Sequence, residues 1–217
     1  MVPEDLLELF DRQVRREPLV AGSDWACVLR PPEDGDVERV LAWMDDQPGY
    51  VEWKFYSHDG AELERRLRDA GLEPEDEETV LVAEAASIPP TDLEVREATE
   101  EFIDLAQDVF GGKRRPLPEH AIAVVALVEG RPVSGGRIDF EPGIDFAGLY
   151  GGVTLPEFRG RGLYRATVAK RAELARERGY RYLYVDALPT SRPILERLGF
   201  VRLTTTMPYV RPADSTT

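Results

Sequence analysis

Apolar residues recur at helical spacing in residues 3–16, where Leu6, Leu7, Phe10 and Val14 fall on one side of a helix. Residues 25–29 make a short apolar strand, followed by a turn at Pro31-Pro32-Glu33-Asp34-Gly35. Asp36 is placed to cap a helix carrying Val37, Val40, Leu41 and Met44. Residues 50–56 alternate and are rich in aromatics, as a strand requires. Residues 61–70 are helical, with Leu63 and Leu67 inward and Gly71 as the stop. A strand follows at residues 79–85. Residues 87–92 contain Pro89-Pro90 and form the best linker.

Beyond the linker the pattern continues with a strand at residues 93–96 and a helix at residues 99–110. The start of that helix resembles a capping box from Thr99 to Phe102, weakened because Phe replaces Glu or Gln. Gly111-Gly112-Lys113-Arg114-Arg115-Pro116 is a loop, solvated or gating a cleft. Strands at residues 120–128 and 133–140 flank a hairpin turn, Glu129-Gly130-Arg131-Pro132. A glycine-rich strand at residues 146–155 leads through Leu155-Pro156-Glu157-Phe158-Arg159-Gly160-Arg161-Gly162 into a helix at residues 163–178. Then come a strand, a short helix that stops at Gly199, and a strand over residues 201–210.

The two halves echo each other. Residues 50–82 read strand, helix ending in Leu-x-x-x-Gly-Leu, strand; residues 180–210 read strand, helix ending in Leu-Gly-Phe, strand. The echo extends back to set Val28-Leu29-Arg30-Pro31 against Val153-Thr154-Leu155-Pro156. Where the second half has its arginine–glycine turn, the first has Glu33-Asp34-Gly35-Asp36, whose carboxylates repel a phosphate.

The turn at residues 159–165 carries the sharpest chemistry. A strand that turns through glycines into a helix start leaves backbone N–H groups aimed at an incoming anion. Glycine permits close backbone approach, and Arg159, Arg161 and Arg165 add charge-assisted donors. Lys170 and Arg171 extend that basic cluster. The ligand this predicts is a pyrophosphate. The P-loop string G-x-x-x-x-G-K-[ST] does not occur, and from Gly160 the string G-R-G-L-Y-R lacks the third glycine of a dinucleotide turn.

The segment from Val153 to Leu163, with Pro156, Arg159, Gly160, Gly162 and Leu163, resembles motif A of the GCN5-related N-acetyltransferase (GNAT) family, and Leu198-Gly199-Phe200 resembles that family's closing helix end. Tyr164 stands where the family has Gly or Ala. The resemblance spans residues 93–210. It implies an α/β fold with a central, mostly antiparallel mixed sheet flanked by helices, here at residues 91–212. Residues 1–90 then form a smaller, partial GNAT-like α/β half without a CoA site, and residues 213–217 a disordered tail.

By the same resemblance, acetyl-CoA is the co-substrate. Val153, Thr154 and Leu155 hold its pantetheine arm, with strand N–H groups near Val153 and Leu155 as donors. Arg159, Gly160, Arg161, Gly162, Leu163, Tyr164 and Arg165 hold its pyrophosphate. The acceptor is a primary amine of a small molecule, a peptide N-terminus or a lysine. The family's usual acid, a Tyr four residues before the closing Gly, is Leu195 here. Candidate groups for the chemistry are Tyr150 and Asp186 on strands beside the site, and Ser191, which is equally placed to cap the short helix. The missing Tyr keeps a second reading open: an acyl-CoA-binding sensor or scaffold that does not catalyse transfer.

Composition narrows the partners. The 217 residues carry a formal net charge of −14, against nonspecific nucleic-acid binding. Residues 1–92 hold 24 acidic and 9 basic side chains, and residues 93–217 hold 17 and 18, so the acidity belongs to the first half. That acidity, including Glu75-Asp76-Glu77-Glu78, is suited to recruiting a cationic acceptor. Cys27 is the only cysteine, which excludes an intramolecular disulfide and a Cys/His zinc site. The longest apolar run, residues 121–128, is too short to span a bilayer, and the acidic amphipathic start is unlike a signal peptide. The expectation is a cytoplasmic protein without membrane or nucleic-acid partners, monomeric or homodimeric, and no bound metal.

Overall fold

A computed structural model describes residues 5–22, 25–33, 35–111 and 114–212. Contacts divide the chain into two compact units. One comprises Met1–Val80, Asp186–Pro189 and Arg202–Thr217; the other comprises Leu81–Val185 and Thr190–Val201. The sequence places the division at residues 90–91, on the proline linker. The expected tail at residues 213–217 lies outside the described residues.

The first unit contains α1 (Leu6–Gln13), β1 (Leu19–Ala21), β2 (Trp25–Val28), α2 (Val37–Asp45), β3 (Tyr50–Tyr56), α3 (Ala61–Asp69) and β4 (Glu73–Pro74). It also holds the start of β5 (Glu78–Glu84). Its sheet runs β1-β2-β3-β11, where β11 (Val201–Val210) is the last strand of the chain, and β4 also pairs β11. β2 and β3 are parallel, with Trp25 opposite Tyr50 and Val28 opposite Trp53, and α2 makes the crossover between them. β11 pairs antiparallel with β3, Thr206 opposite Tyr56.

Strand alternation separates the two faces of β3. Trp53 and Phe55 are buried with Val28, Val37, Val40, Met44, Leu63, Leu67 and Tyr209 under α2 and α3. Glu52, Lys54 and Tyr56 face the other way. There Phe10 of α1 meets the Tyr56 ring edge-on at 6.1 Å, and Arg15 lies 4.0 Å over the same ring. Arg15 is buried and donates to both Asp59 oxygens, to Asp11 and to the Leu29 carbonyl. β1 and β4 escape the sequence pattern because two or three residues cannot establish a period.

The second unit contains the rest of β5, then β6 (Val95–Glu97), α4 (Thr99–Phe110), β7 (Ala121–Val128), β8 (Arg131–Asp139), β9 (Phe146–Thr154) and α5 (Leu163–Glu177). β10 (Tyr182–Ala187), up to Val185, and α6 (Arg192–Arg197) complete it. Its strand order is β5-β10-β9-β8-β7-β6. β6 to β9 form an antiparallel meander, and β10 joins β9 in parallel. A Cβ at Gly135 would meet Phe102 and Leu105 of α4, and one at Gly136 would meet Arg171 of α5. Neighbouring strand residues point to opposite faces, so α4 and α5 cover opposite faces of this sheet. Phe102, Ile103 and Leu105 pack on Ala123, Val125 and Val153, while Leu163 packs on Ala126 and Val133. The residue at the start of α4 is Ala98, without a side-chain cap, because Thr99 is already helical. No helix among the described residues is long and apolar enough to cross a membrane.

Candidate functional site

The strand–turn–helix singled out by the sequence is β9, a single 3₁₀ turn at Pro156–Phe158, and α5. Gly160 and Gly162 have φ of 76° and 78°, and a Cβ on either would meet nothing within 4 Å. The left-handed backbone, not crowding, therefore selects glycine at both positions. Gly162 is the N-cap of α5; its carbonyl accepts from the Ala166 N–H at 3.0 Å, and no side chain caps the helix. The N–H groups of Leu163, Tyr164 and Arg165 have no intrahelical acceptor and sit at the positive end of a 15-residue dipole. No acidic residue lies in that first turn.

Three arginines surround this opening. Arg159, Arg161 and Arg165 are all exposed. Arg159 Nε reaches the Thr154 carbonyl at 3.4 Å, and Arg161 lies 5.0 Å over the Phe158 ring. The other two expected members of the basic cluster are elsewhere. Lys170 pairs with Glu173 at 3.0 Å. Arg171 is buried against Gly136, donating to the Thr167 and Arg137 carbonyls. Burial lowers its pKa, with Tyr164 partly opposing. Helix periodicity carries it inward, which a sequence cluster does not distinguish. Tyr164 likewise turns inward: a Cβ at Gly152 would lie 2.6 Å from its ring.

β9 opens a slot beside the turn. Its parallel pairing with β10 covers only Phe146, Ala147 and Gly148, opposite Tyr182, Leu183 and Tyr184. The ladder to β10 ends at Gly148, and farther along β9 Gly151 and Gly152 are exposed. A bulge opposite Gly135–Arg137 and a φ of 61° at Gly151 bend the strand here.

The antiparallel ladder to β8 corrects one expectation. The Leu155 N–H already donates to the Val133 carbonyl at 2.9 Å. By alternation Val153, opposite Gly135, faces β8 as well, and its carbonyl accepts from Ser134 Oγ at 2.8 Å. Thr154, between them, presents its backbone to the open edge. Its N–H, not those of Val153 and Leu155, is placed to meet a ligand.

The candidate catalytic side chains have distinct surroundings. Tyr150, half-buried, lies with its hydroxyl 2.7 Å from that of Tyr184, where β9 and β10 part. Arg137 lies 5.0 Å over the Tyr150 ring and donates to Asp139 at 3.0 Å. Burial raises the Asp139 pKa, and Arg137 partly offsets it. Tyr184 was not legible as a site residue, because its role depends on a partner 34 positions away.

Asp186 belongs to the first unit and accepts a hydrogen bond and ion pair from Lys54. Burial alone depresses a lysine, but Asp186, backed by Tyr56, Glu52 and Cys27, holds Lys54 well above its ordinary pKa. Ser191 precedes α6 in the N-cap position without a side-chain cap bond. Leu195 is fully buried, so the position of the family's usual acid is core. Arg114 is tied to Glu100 and Asp104 of α4; Lys113 lies outside the described residues. No cluster of metal-ligating side chains occurs among the described residues.

The sequence profile described as "Acetyltransferase (GNAT) family" matches residues 80–200, more than half of the chain. No curated protein matches. Among solved structures, a GCN5-related N-acetyltransferase from Kribbella flavida is 16% identical, with a TM-score of 0.71 over 98% of this chain and 96% of that one. Another, from Sphaerobacter thermophilus, is 14% identical, with a TM-score of 0.62 over 91% of this chain and 77% of that one. At these identities the likeness is one of fold.

Proposed function

Since the chain belongs to the acetyltransferase (GNAT) family, we propose that it moves an acetyl group from acetyl-CoA to a primary amine. The observation that carries this is the uncapped start of α5 beside the unpaired edge of β9. Orphan N–H groups, the helix dipole and three exposed arginines suit the pyrophosphate. The open backbone of Gly152 and Thr154 suits the amide-bearing pantetheine arm, which pairs as an added strand does.

The chemistry asks little of the protein. A neutral amine attacks the thioester carbonyl, the C–S bond breaks, and the amine loses a proton while the thiolate gains one. Binding both partners in one orientation supplies much of the acceleration. Asp186, engaged by Lys54, is better suited to fix charge than to relay protons. Ser191 stands at a helix start, where its backbone carbonyl receives the Ile194 and Leu195 N–H groups. The acceptor is a small amine, a peptide N-terminus or a lysine.

The buried Leu195 favours one other reading, an acyl-CoA-binding protein without transfer activity. Thiol release from acetyl-CoA with a panel of amines separates the two. Amine-dependent release supports transfer. Stabilisation by CoA with no release from any amine supports the binding reading.

A further inference from the structure

We propose that the Tyr150 hydroxyl donates the proton taken up by the departing thiolate, with Tyr184 as its positioning partner. This rests on the acetyl-transfer reading above. The two hydroxyls are 2.7 Å apart, so one donates to the other. They meet at the last paired position of β9 and β10, the head of the slot that runs along β9 to the turn.

The packing around the pair is specific. A Cβ at Gly148 would lie 2.5 Å from Tyr150 Cε2 and 2.9 Å from the Tyr184 hydroxyl. Only glycine leaves room for both rings. Those rings meet edge-on, 6.2 Å between centroids and 88° between planes, which aims both hydroxyls at one point. Arg137 over the Tyr150 ring favours negative charge on that ring.

Other hydroxyls and acids are less well placed. Leu195 has no proton to give. Tyr164 is turned into the interface between α5 and the sheet, toward Arg171. Asp186 is held by Lys54. The groups facing Tyr150 are Arg137 and Asp139 from β8 and Tyr184 from β10. α5 sets Tyr164 against β9 and Arg171 against β8, and α4 sets Phe102 against Gly151.

The step balances. The amine nitrogen forms the new C–N bond and gives its proton to water. The C–S bond breaks with its electron pair on sulfur, and the sulfur takes the Tyr150 proton. The Tyr184 hydroxyl donates to the resulting tyrosinate, which regains a proton from solvent after CoA leaves.

The test is kcat against pH for the wild type, Tyr150→Phe and Tyr184→Phe, with CoA-induced thermal stabilisation measured on each. Both substitutions keep the rings. The wild type loses kcat on the alkaline side as the donor deprotonates. Tyr150→Phe lowers kcat by about a hundredfold and abolishes that alkaline limb, with the KM for acetyl-CoA within about twofold. Tyr184→Phe removes a donor to the tyrosinate and moves the limb to higher pH, by on the order of one unit. A merely structural role would not move it. Full kcat and an unchanged limb in Tyr150→Phe overturn the proposal and leave the transfer reading intact. Absence of thiol release in the wild type overturns the transfer reading itself. If Tyr150→Phe loses CoA stabilisation, the limb of Tyr184→Phe decides alone, and an unshifted limb is a refutation.

Discussion

In the first unit β2 runs through α2 to the parallel strand β3, and in the second β9 runs through α5 to the parallel strand β10. The two crossovers differ at both places where a ligand would be held. Asp36 caps α2, accepting from the Arg39 N–H at 3.0 Å, and Glu38 adds a carboxylate to its first turn. α5 starts on a glycine with neither. The β2–β3 ladder runs to the last residue of β2, whereas the β9–β10 ladder stops at Gly148, with six residues of β9 remaining. A strand–helix crossover is therefore not in itself an anion site. The second crossover has the form that the proposed anion site requires, with its helix start uncapped and its strands parting after Gly148.

Gly162 carries the largest expected effect. Gly162→Glu forces a side chain into the left-handed region and sets a carboxylate where the second unit has none. Losing the charge-assisted N–H contacts weakens CoA by roughly a hundredfold or more. Thermal shift with CoA reads this, and a retained shift contradicts it.

Asp36→Ala tests the other crossover. Removing a capping carboxylate costs about 1 kcal/mol of stability. The expected CoA affinity is unchanged, because carboxylates already occupy the start of α2. Denaturant melts with and without CoA check both halves of the statement; a weakened CoA response would count against it.

The smallest effect concerns the acidic side of the first unit. Burial raises the Glu78 carboxyl to about 7; Lys54 opposes, and Asp186, Glu52 and Glu75 add to the rise. A raised carboxyl favours folding below its unfolded value and loses that contribution as pH climbs through the folded value. Stability thus falls between pH 4.5 and 7 at this site. Glu78→Gln matches the wild type near the bottom of that window and exceeds it above the top. The gain is about 1 kcal/mol after allowance for solvent screening. An equal difference at both ends refutes the assignment.

Much of this was legible in the chain. Leu63 and Leu67, four positions and so about one helical turn apart, and the alternation of residues 50–56 placed α3 and β3 without further help. The turn at Gly160 and Gly162 was legible because a left-handed backbone has few residue choices. What the sequence hid depends on long-range pairing. Lys54 and Asp186 are 132 positions apart, and β11 joins β3 although α3 leads to β5. The direction of the Val153, Thr154 and Leu155 backbone follows from the β8 register, which no composition encodes. Arg171 looked like part of a surface cluster because a basic residue inside the α5–sheet interface leaves no mark on a charge count.

Isothermal titration of the intact protein with CoA tests the central contrast most directly. One site per chain, lost in Gly162→Glu and retained in Asp36→Ala, is the predicted result. Two sites per chain, or binding that survives Gly162→Glu, would contradict it.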